Sequence, residues 1–524
     1  MPTVGEALIT LLAAHGVDTV FGIPGVHTVE LYRGLAGSAI RHVTPRHEQG
    51  AAFMADGFAR ASGRPGVAFV ITGPGLTNAL TAMAQARADS SPLLVISSVN
   101  QRASLGKGLG YLHELPDQLG LAAKVALLAR RIETPEELQP ALAEAFALFA
   151  TARPGPVHIE IPLDVMAQPA AQIGPIAELP APPQPEPQTL DRAAALLAQA
   201  QMPLILAGGG ACRAEPALRQ MAEMLDAPVV TTANGRGLLF GHDLGVPASP
   251  SLPAIRALMA EADVVLAAGT EFGPTDYDMY ANGGFVLPQR LIRIDIDKAQ
   301  LERRPATVAI QADCASTLDA LAERLTPAAP RGGAERAAMA RDAARGQLEP
   351  YMHAQLAAVE IIRDTLPTAI IAGDSTQPVY AANLYYDHDR PGGWFNAATG
   401  YGALGFGPPA AIGAALAVPE TPVVCLTGDG GLQFVLAEIG AAREARAAVI
   451  FVVWNNRGYR EIETSMRDAG VEPVGVSPLP PDFVKIAEAY GLPAERLDGT
   501  DGLAAALRRT RTATGPALIE VVVP

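Results

Sequence analysis

Short hydrophobic runs alternate with amphipathic stretches along most of the chain. Residues 423–426 and 448–454 are two such runs, and the segment between them carries Leu432, Leu436 and Ile439 at helical spacing. Apolar runs of this length, each followed by glycines and a helix, are typical of strands buried in parallel sheets. The pattern therefore predicts an α/β fold made of doubly wound parallel sheets with helices on both faces.

The chain is too long for one hydrophobic core, and two stretches divide it. At 524 residues it is expected to form several domains. Proline- and alanine-rich composition marks both dividing stretches, at 169–188 and 327–345, as linkers, and the second is expected to be part helical. We predict three doubly wound parallel-sheet domains, at residues 1–168, 189–326 and 351–524.

The two terminal domains share a local pattern of strand, glycine turn and helix. The sequence Thr-Gly-Pro-Gly-Leu begins at Thr72, and Thr-Gly-Asp-Gly-Gly-Leu begins at Thr427, each directly after an apolar run. The similarity predicts two related folds at opposite ends of the chain.

In the central domain, three glycines follow the apolar run at 203–207. Gly208, Gly209 and Gly210 could let the backbone approach a nucleotide, but this domain contains no GxGxxG fingerprint. A bound FAD or ADP in this domain is therefore the less favoured alternative.

Two polar groups follow neighbouring apolar runs in the last domain. Gly428-Asp429-Gly430 comes after the first run, and Asn455-Asn456 comes after the second. Because the carboxyl ends of parallel strands meet at one edge of a sheet, these groups are expected to lie together. A carboxylate, an amide oxygen and a backbone carbonyl suit Mg²⁺, which completes its shell with phosphate oxygens and water. We predict a diphosphate–magnesium site here, although a lone GDG would be read as an ordinary turn.

This pair of motifs resembles the thiamine diphosphate (ThDP) signature. The resemblance extends over essentially the whole chain, in the domain order of the acetohydroxyacid synthase, pyruvate decarboxylase and benzoylformate decarboxylase superfamily: pyrimidine-binding, central and diphosphate-binding. It implies that Asp429, the side chain of Asn456 and the carbonyl of Gly458 hold Mg²⁺, which holds the cofactor diphosphate.

The resemblance also implies roles for residues around the cofactor. Glu48 matches the glutamate that binds the pyrimidine ring and promotes loss of the thiazolium C2 proton, although a first-turn helix glutamate can also simply complement the helix dipole. Leu404 matches the residue that bends ThDP into a V, although it could be an ordinary core leucine. The implied cofactor-binding residues are Pro24, Gly25, Glu48, Thr72, Gly75, Asn78, Asp374, Gly402, Leu404, Gly428, Asp429, Gly430, Gly431, Asn456, Gly458 and Tyr459.

The motifs that separate the members of this superfamily are not intact. Pyruvate decarboxylases have paired histidines in the loop where this chain has His113, and acetohydroxyacid synthases place a glutamine near Glu114. Benzoylformate decarboxylases have a serine where this chain has Val26, and a histidine near Ile71. His113 and Glu114 remain candidates for proton transfer.

Acidic residues are numerous near the expected pocket. A carboxylate that points into it would select a guanidinium by paired charge-assisted hydrogen bonds. The loop at 113–118 and the segment at 270–278 also look similar to 5-guanidino-2-oxopentanoate decarboxylases. The alternative is that these are solvated loop acids in a chain of net charge −15. The loop that contains His113 carries Glu114 and Asp117. The other acids are Glu271, Asp276 and Asp278 in the segment at 270–278, and Glu461 and Glu463 shortly after Gly458.

We therefore predict a ThDP- and Mg²⁺-dependent, non-oxidative decarboxylase of a small 2-oxo acid, with 5-guanidino-2-oxopentanoate as the candidate substrate. An acetolactate synthase-like carboligase and a non-catalytic ThDP-binding subunit are the alternatives. Since the family's cofactor bridges two chains, the resemblance implies at least a homodimer, and we predict a homotetramer.

Composition narrows the partners. The net charge of −15 and the lack of a Lys/Arg-rich run argue against nucleic acid. No apolar run is long enough to span a membrane. Three scattered cysteines indicate a reducing compartment, and the first residues lack a signal-peptide pattern, so a cytoplasmic location is expected.

Overall fold

The computed structural model describes residues 1–279, 283–511 and 515–524. These residues form three six-stranded sheets, all parallel and flanked by helices. The prediction of three doubly wound α/β domains is confirmed. None of the described helices combines the length and the apolar composition needed to cross a membrane.

The N-terminal sheet has its switch in winding direction between its first and third strands. The strands are β1 Thr19–Gly22, β2 Arg41–Val43, β3 Gly66–Val70, β4 Leu93–Val99, β5 Leu128–Arg131 and β6 Pro156–Pro162. The helices are α1 Val4–Ala14, α2 Val29–Arg33, α3 Glu48–Ser62, α4 Pro74–Ala88, α5 Gln118–Ala123, α6 Leu138–Thr151 and α7 Leu163–Met166. The sheet order is β2-β1-β3-β4-β6-β5. Thr3 and Glu6 form the predicted capping box at the start of α1.

The central sheet has the strand order of a dinucleotide-binding fold. The strands are β7 Pro203–Ala207, β8 Val229–Thr231, β9 Gly245–Val246, β10 Val264–Ala268, β11 Leu291–Asp295 and β12 Val308–Gln311. The helices are α8 Pro187–Gln199, α9 Glu215–Leu225, α10 Pro253–Glu261, α11 Pro274–Tyr277, α12 Lys298–Arg303 and α13 Cys314–Ala322, followed by α14 Gly333–Gly346 and α15 Pro350–Thr365. The order β12-β11-β10-β7-β8-β9 is the Rossmann order.

The C-terminal sheet repeats the topology of the N-terminal one. The strands are β13 Ile370–Gly373, β14 Trp394–Asn396, β15 Val423–Gly428, β16 Val449–Asn455, β17 Ala494–Asp498 and β18 Ala517–Val522. The helices are α16 Gln377–Leu384, α17 Gly407–Ala417, α18 Asp429–Gln433, α19 Glu438–Ala445, α20 Arg460–Asp468, α21 Phe483–Ala489 and α22 Leu503–Thr510. The order β14-β13-β15-β16-β18-β17 matches that of the N-terminal sheet, strand for strand. The two related folds predicted from the Thr-Gly turns are therefore present.

Helices α3 and α17 pack together at two glycines. A Cβ added at Gly57 would lie 1.9 Å from the Ala410 carbonyl oxygen, and one at Gly413 would lie 1.8 Å from that of Met54. Only glycine permits backbones to approach this closely. This contact lies within one compact unit, formed by residues 1–180, 372–375 and 400–524. The second unit comprises residues 181–371 and 376–399.

The second linker is part helical, as predicted, because α14 occupies residues Gly333–Gly346. One local prediction differs from the structure. The helix expected from Leu432 to Ile439 is instead two helices, α18 and α19. The residues between them are joined by hydrogen bonds three residues apart, and Phe434 and Val435 pack against the backbone at Gly405. The exact domain limits stay a prediction.

Candidate functional site

Asp429, Asn456 and Gly458 lie together at the carboxyl edge of the C-terminal sheet. Strands β15 and β16 pair along their length, with Gly428 opposite Trp454, so the turns that follow them are neighbours. Burial raises the pKa of the Asp429 carboxyl, and hydrogen bonds from backbone amides, those of Gly458 and Asn456 among them, oppose this rise. The structure thus brings together the three residues predicted to bind the metal.

The donors of this group fit Mg²⁺. A carboxylate, a side-chain amide and a backbone carbonyl are hard oxygen ligands, which suit this ion. Over the described ranges, the structure has no cluster of three or more His, Cys, Asp or Glu side chains that could hold a metal. Gly458 has a φ of 154°, and an added Cβ would lie 2.5 Å from the Val476 carbonyl oxygen, so the backbone here requires glycine.

The glycines after β15 are enclosed by side chains. A Cβ at Gly430 would lie 2.4 Å from the ring of Tyr459, and one at Gly431 would lie 3.1 Å from Cγ of Asp374. The turn therefore packs tightly between an aromatic ring and a carboxyl group. Each of these residues was a predicted cofactor-binding residue.

Asp374 holds the turn that carries Leu404. Its carboxyl oxygens accept hydrogen bonds from the backbone N–H of Gly405 at 3.0 Å and 3.2 Å and from that of Gly407 at 3.3 Å. A further bond comes from the N–H of Ser375 at 2.8 Å. Burial raises the pKa of this carboxyl to about 6. A contact between Asp374 and a diphosphate stays a prediction; in this structure its carboxylate binds backbone amides.

Leu404 itself is only partly buried, so it is not a core leucine in this chain. Gly402 and Gly405 on either side have positive φ angles of 76° and 80°. Such angles favour glycine, and at Gly405 a Cβ would also lie only 3.0 Å from Phe434 and Val435. The turn thus leaves Leu404 only partly buried.

Glu48 is the first residue of α3, as predicted. Its Oε2 accepts a hydrogen bond from the side-chain amide of Asn78 on α4, at 2.9 Å. His47 caps the helix, since its ring nitrogen accepts a bond from the N–H of Gln49 at 3.2 Å. Glu48 and Asn78, both predicted to bind the cofactor, are therefore direct partners.

The other predicted N-terminal residues follow β1 and β3, at the switch point of the sheet, and Gly75 among them lies in the first turn of α4. A Cβ at Gly25, which follows Pro24, would lie 2.4 Å from Cδ1 of Ile71, and one at Gly75 would lie 2.8 Å from Cγ2 of the same residue. The Thr72 hydroxyl donates to Ser98 Oγ at 3.0 Å. Ligands of doubly wound sheets bind at such switch points.

Sequence reasoning missed a buried glutamine beneath this loop. Oε1 of Gln118 accepts a hydrogen bond from the N–H of Gly73 at 2.8 Å, and its Nε2 donates to Ser97, Ser98 and Glu160. Gln118 ends the loop at 113–118 that the sequence singled out, but its own role depends on strands that are distant in sequence.

His113 faces a second histidine that was also missed. The rings of His27 and His113 are 5.2 Å apart and nearly perpendicular, and Nδ1 of each is buried with no hydrogen-bond partner among the described residues. Burial lowers the pKa of His27, and the charge of His113 lowers it further. The signal available in the sequence was a histidine two residues after Gly25, on the loop at the switch point.

The carboxylate of Glu114 is hydrogen-bonded to the backbone of its own loop. Its carboxylate accepts hydrogen bonds from the backbone N–H of Leu109, Gly110 and Tyr111, at 2.7–3.2 Å. Burial would raise the pKa of Glu114, but these bonds lower it below its usual value. The geometry gives Glu114 a role in shaping the loop next to His113.

Most of the other acids proposed for substrate recognition also have partners. Asp117 caps α5, and Glu463 pairs with Arg460 and Arg467 at 2.6 Å each. In the second unit, Asp276 accepts a bond from the N–H of Ala233, and Asp278 pairs with Arg256. Glu461 lies in the first turn of α20, three residues after Gly458.

The central glycines are explained by packing of the backbone. A Cβ at Gly208 would lie 2.3 Å from the carbonyl oxygen of Gly269, and one at Gly210 would lie 2.8 Å from its Cα. These glycines allow the loops after β7 and β10 to touch. Binding of FAD or ADP is not needed to account for them.

Comparison with known proteins gives matches over all three domains. Residues 2–121 match the family model "Thiamine pyrophosphate enzyme, N-terminal TPP binding domain", residues 190–321 its central domain, and residues 374–521 its C-terminal TPP binding domain. The chain is 45% identical to the "Probable 2-ketoarginine decarboxylase AruI" of Pseudomonas aeruginosa, over 99% of this chain and 94% of that protein.

Acetolactate synthases are more distant relatives. The chain is 32% identical to the large subunit of isozyme 1 from Escherichia coli K12, over 99% of this chain and 93% of that protein. It is also 32% identical to the probable large subunit from Methanocaldococcus jannaschii, over 99% of this chain and 91% of that protein. These matches confirm the resemblance seen in the GDG and NN motifs, and the chain belongs to the thiamine pyrophosphate enzyme family.

Proposed function

We propose that this protein is a ThDP- and Mg²⁺-dependent decarboxylase that converts 5-guanidino-2-oxopentanoate into 4-guanidinobutanal and CO₂. The observation that carries the proposal is the 45% identity, over nearly the whole of both chains, to a protein named as a 2-ketoarginine decarboxylase. The more distant acetolactate synthases support the shared cofactor chemistry.

The metal and the diphosphate are assigned to the edge of the C-terminal sheet. Asp429, the amide of Asn456 and the carbonyl of Gly458 would hold Mg²⁺, and the ion would bind the diphosphate oxygens. The support is that the backbone amides of Asn456 and Gly458 approach the Asp429 carboxylate, which places all three residues at one point.

Glu48 is assigned to the pyrimidine end of the cofactor. When bound, ThDP supplies a nucleophilic carbon and an electron sink for the departure of CO₂. The Glu48 carboxyl would bind the pyrimidine ring nitrogen and exchange a proton there, and the bond from Asn78 fixes the direction in which the carboxyl points. Leu404, only partly buried on its glycine turn, would contact the cofactor and support its shape.

His113 is assigned to proton transfer to the product. Of the two candidates in its loop, the contacts favour His113, because the carboxylate of Glu114 is occupied by three backbone amides. His113 and His27 face each other, and each has a buried Nδ1 able to hold or accept a proton. A histidine pair can pass a proton near neutral pH.

Recognition of the guanidinium is assigned to Glu461. Glu461 lies in the first turn of α20, three residues after Gly458, and Glu463 in the same turn pairs with two arginines. A carboxylate binds a guanidinium by two parallel hydrogen bonds. Glu463 is therefore a matched control for Glu461 on the same helix.

The experiment is to measure CO₂ release with ThDP and Mg²⁺ across pyruvate, branched and aromatic 2-oxo acids and 5-guanidino-2-oxopentanoate. We expect the guanidino acid to be strongly preferred, with Glu461→Gln raising its KM and Glu463→Gln leaving that KM nearly unchanged. Preference for a neutral acid would refute the substrate assignment. Formation of acetolactate from pyruvate would indicate that the protein is a carboligase. Absence of turnover with every acid would indicate a non-catalytic ThDP-binding subunit.

The assembly is proposed to be a homodimer at least, and a homotetramer by analogy with the family. The proposed localisation is cytoplasmic. Light scattering coupled to gel filtration measures the assembly directly, and a monomer that is fully active would refute a cofactor shared between chains.

A further inference from the structure

A buried carboxylate of the C-terminal domain meets the backbone just before Glu48. Glu438 is the first residue of α19 and is 1% exposed. Its Oε1 accepts hydrogen bonds from the backbone N–H of Arg46 at 3.0 Å and of His47 at 3.1 Å, and its Oε2 accepts a further bond from that of Arg46 at 3.1 Å. These two residues directly precede Glu48 in the chain.

The first turn of α3 is shaped around this carboxylate. A Cβ added at Gly50 would lie 2.3 Å from Oε1 of Glu438, so any larger residue would displace the carboxylate. The backbone N–H groups in the first turn of a helix have no acceptor within the helix. Buried backbone N–H groups just before the helix also need an acceptor. Glu438 supplies acceptors to the two amides that set the direction in which α3 begins.

We propose that Glu438 is a positioning residue that fixes the orientation of Glu48 by holding the backbone of Arg46 and His47. The inference rests on the proposed role of Glu48. It extends that role to a residue about 390 positions away that no motif of the sequence analysis included. In this arrangement Asn78 directs the Glu48 carboxylate, while Glu438 fixes its backbone.

The same loop provides a control. The Arg46 side chain pairs with Glu444 at 2.6 Å, and the Glu444 side chain is 60% exposed. Exposed pairs of this kind contribute little. Glu444→Gln therefore removes a neighbouring carboxylate from α19 without touching the backbone amides, and Glu438→Asp withdraws the buried carboxylate by one methylene.

The experiment measures the exchange of the C2 proton of bound ThDP with deuterium, together with kcat, KM and the affinity for ThDP. We expect Glu438→Asp to slow exchange and kcat by similar factors, roughly 10- to 100-fold from the lost charged hydrogen bonds, with a smaller change in KM. Glu444→Gln should behave like the wild type. In the cofactor-free protein, amide hydrogen exchange over residues 44–50 should increase only in Glu438→Asp.

Two further variants separate the possible outcomes. If Glu438 acts through Glu48, adding Glu438→Asp to Glu48→Gln should slow C2 exchange no further. Gly50→Ala, which keeps every hydrogen-bonding group, should reproduce the defect of Glu438→Asp if that variant fails to fold. Normal C2 exchange in a destabilised Glu438→Asp protein would overturn the inference, since Glu438 would then only join two domains. Normal exchange in Glu48→Gln would instead overturn the proposed role of Glu48.

Discussion

The buried carboxyl of Asp374 predicts a specific dependence of stability on pH. Its side chain is 0% exposed and has no paired cation among the described residues, and burial raises its pKa from 3.8 to about 6. Between these values the folded state holds a proton that the unfolded state has lost. Stability contributed by this group is therefore present at low pH and is lost as pH rises from about 4 towards 6.

The size of this loss follows from the two pKa values. At about 1.36 kcal/mol for each pKa unit, ionising Asp374 in the folded protein costs about 3 kcal/mol by pH 7. Asp374→Asn removes the titration but places an amide NH₂ near the N–H groups of Gly405 and Gly407. That donor–donor contact costs about 1–3 kcal/mol at any pH. We expect the variant to be less stable than the wild type at pH 4 and comparable to it at pH 7.

The assay is urea unfolding followed by circular dichroism at intervals between pH 4 and pH 7. Asp501→Asn, at an exposed position, corrects for the loss of one negative charge. The quantity that matters is the difference in the free energy of unfolding between Asp374→Asn and the wild type, which should change by about 2.4 kcal/mol between pH 4 and pH 7 in favour of the variant. Parallel curves for the two proteins would refute the reasoning.

Three further predictions concern the site. Asn78→Ala removes the amide that directs Glu48 and should lower kcat roughly tenfold, whereas Thr77→Ala, at the exposed neighbouring position, should not. Mixing and re-forming dimers of inactive Glu48→Gln and Asp429→Ala should restore about a quarter of wild-type activity if each cofactor lies between two chains; no recovery would contradict a shared site. His113→Ala should reduce CO₂ release roughly 10²- to 10⁴-fold while titration shows ThDP affinity retained, and unchanged turnover would exclude its role in proton transfer.

The parts of the fold that were predicted correctly have local causes. The runs before Asp429 and Asn455 are apolar and continuous, so they form buried parallel strands. Asp429 and Asn456 meet because parallel strands end at the same edge of the sheet, which is a property of topology and not of detailed packing. The same reasoning placed Glu48 correctly in the first turn of a helix.

The parts that were missed depend on contacts between distant residues. The role of His27 depends on its contact with the ring of His113, and the role of Gln118 depends on its hydrogen bonds to β4 and β6. Glu438 was hidden inside a stretch predicted to be one continuous helix. In the structure Glu438 begins a new helix, and its carboxylate accepts a hydrogen bond from the backbone N–H of Arg46, about 390 positions away. Periodicity reports which face of an element is buried, but not which backbone a buried carboxylate will reach.

Some acidic side chains of this chain hold the backbone in place, so they are not evidence of a cationic ligand. Asp374, Glu438 and Glu114 all direct their oxygens at backbone amides, and the three segments they hold carry Leu404, Glu48 and His113. Amides bring no positive charge, so the two buried carboxyls, Asp374 and Glu438, have raised pKa values and are held at a cost in stability. Such a cost is tolerated where it fixes the geometry of a site before the ligand arrives. An acid near the pocket is therefore evidence for a cationic substrate only when no amide of the chain already occupies it.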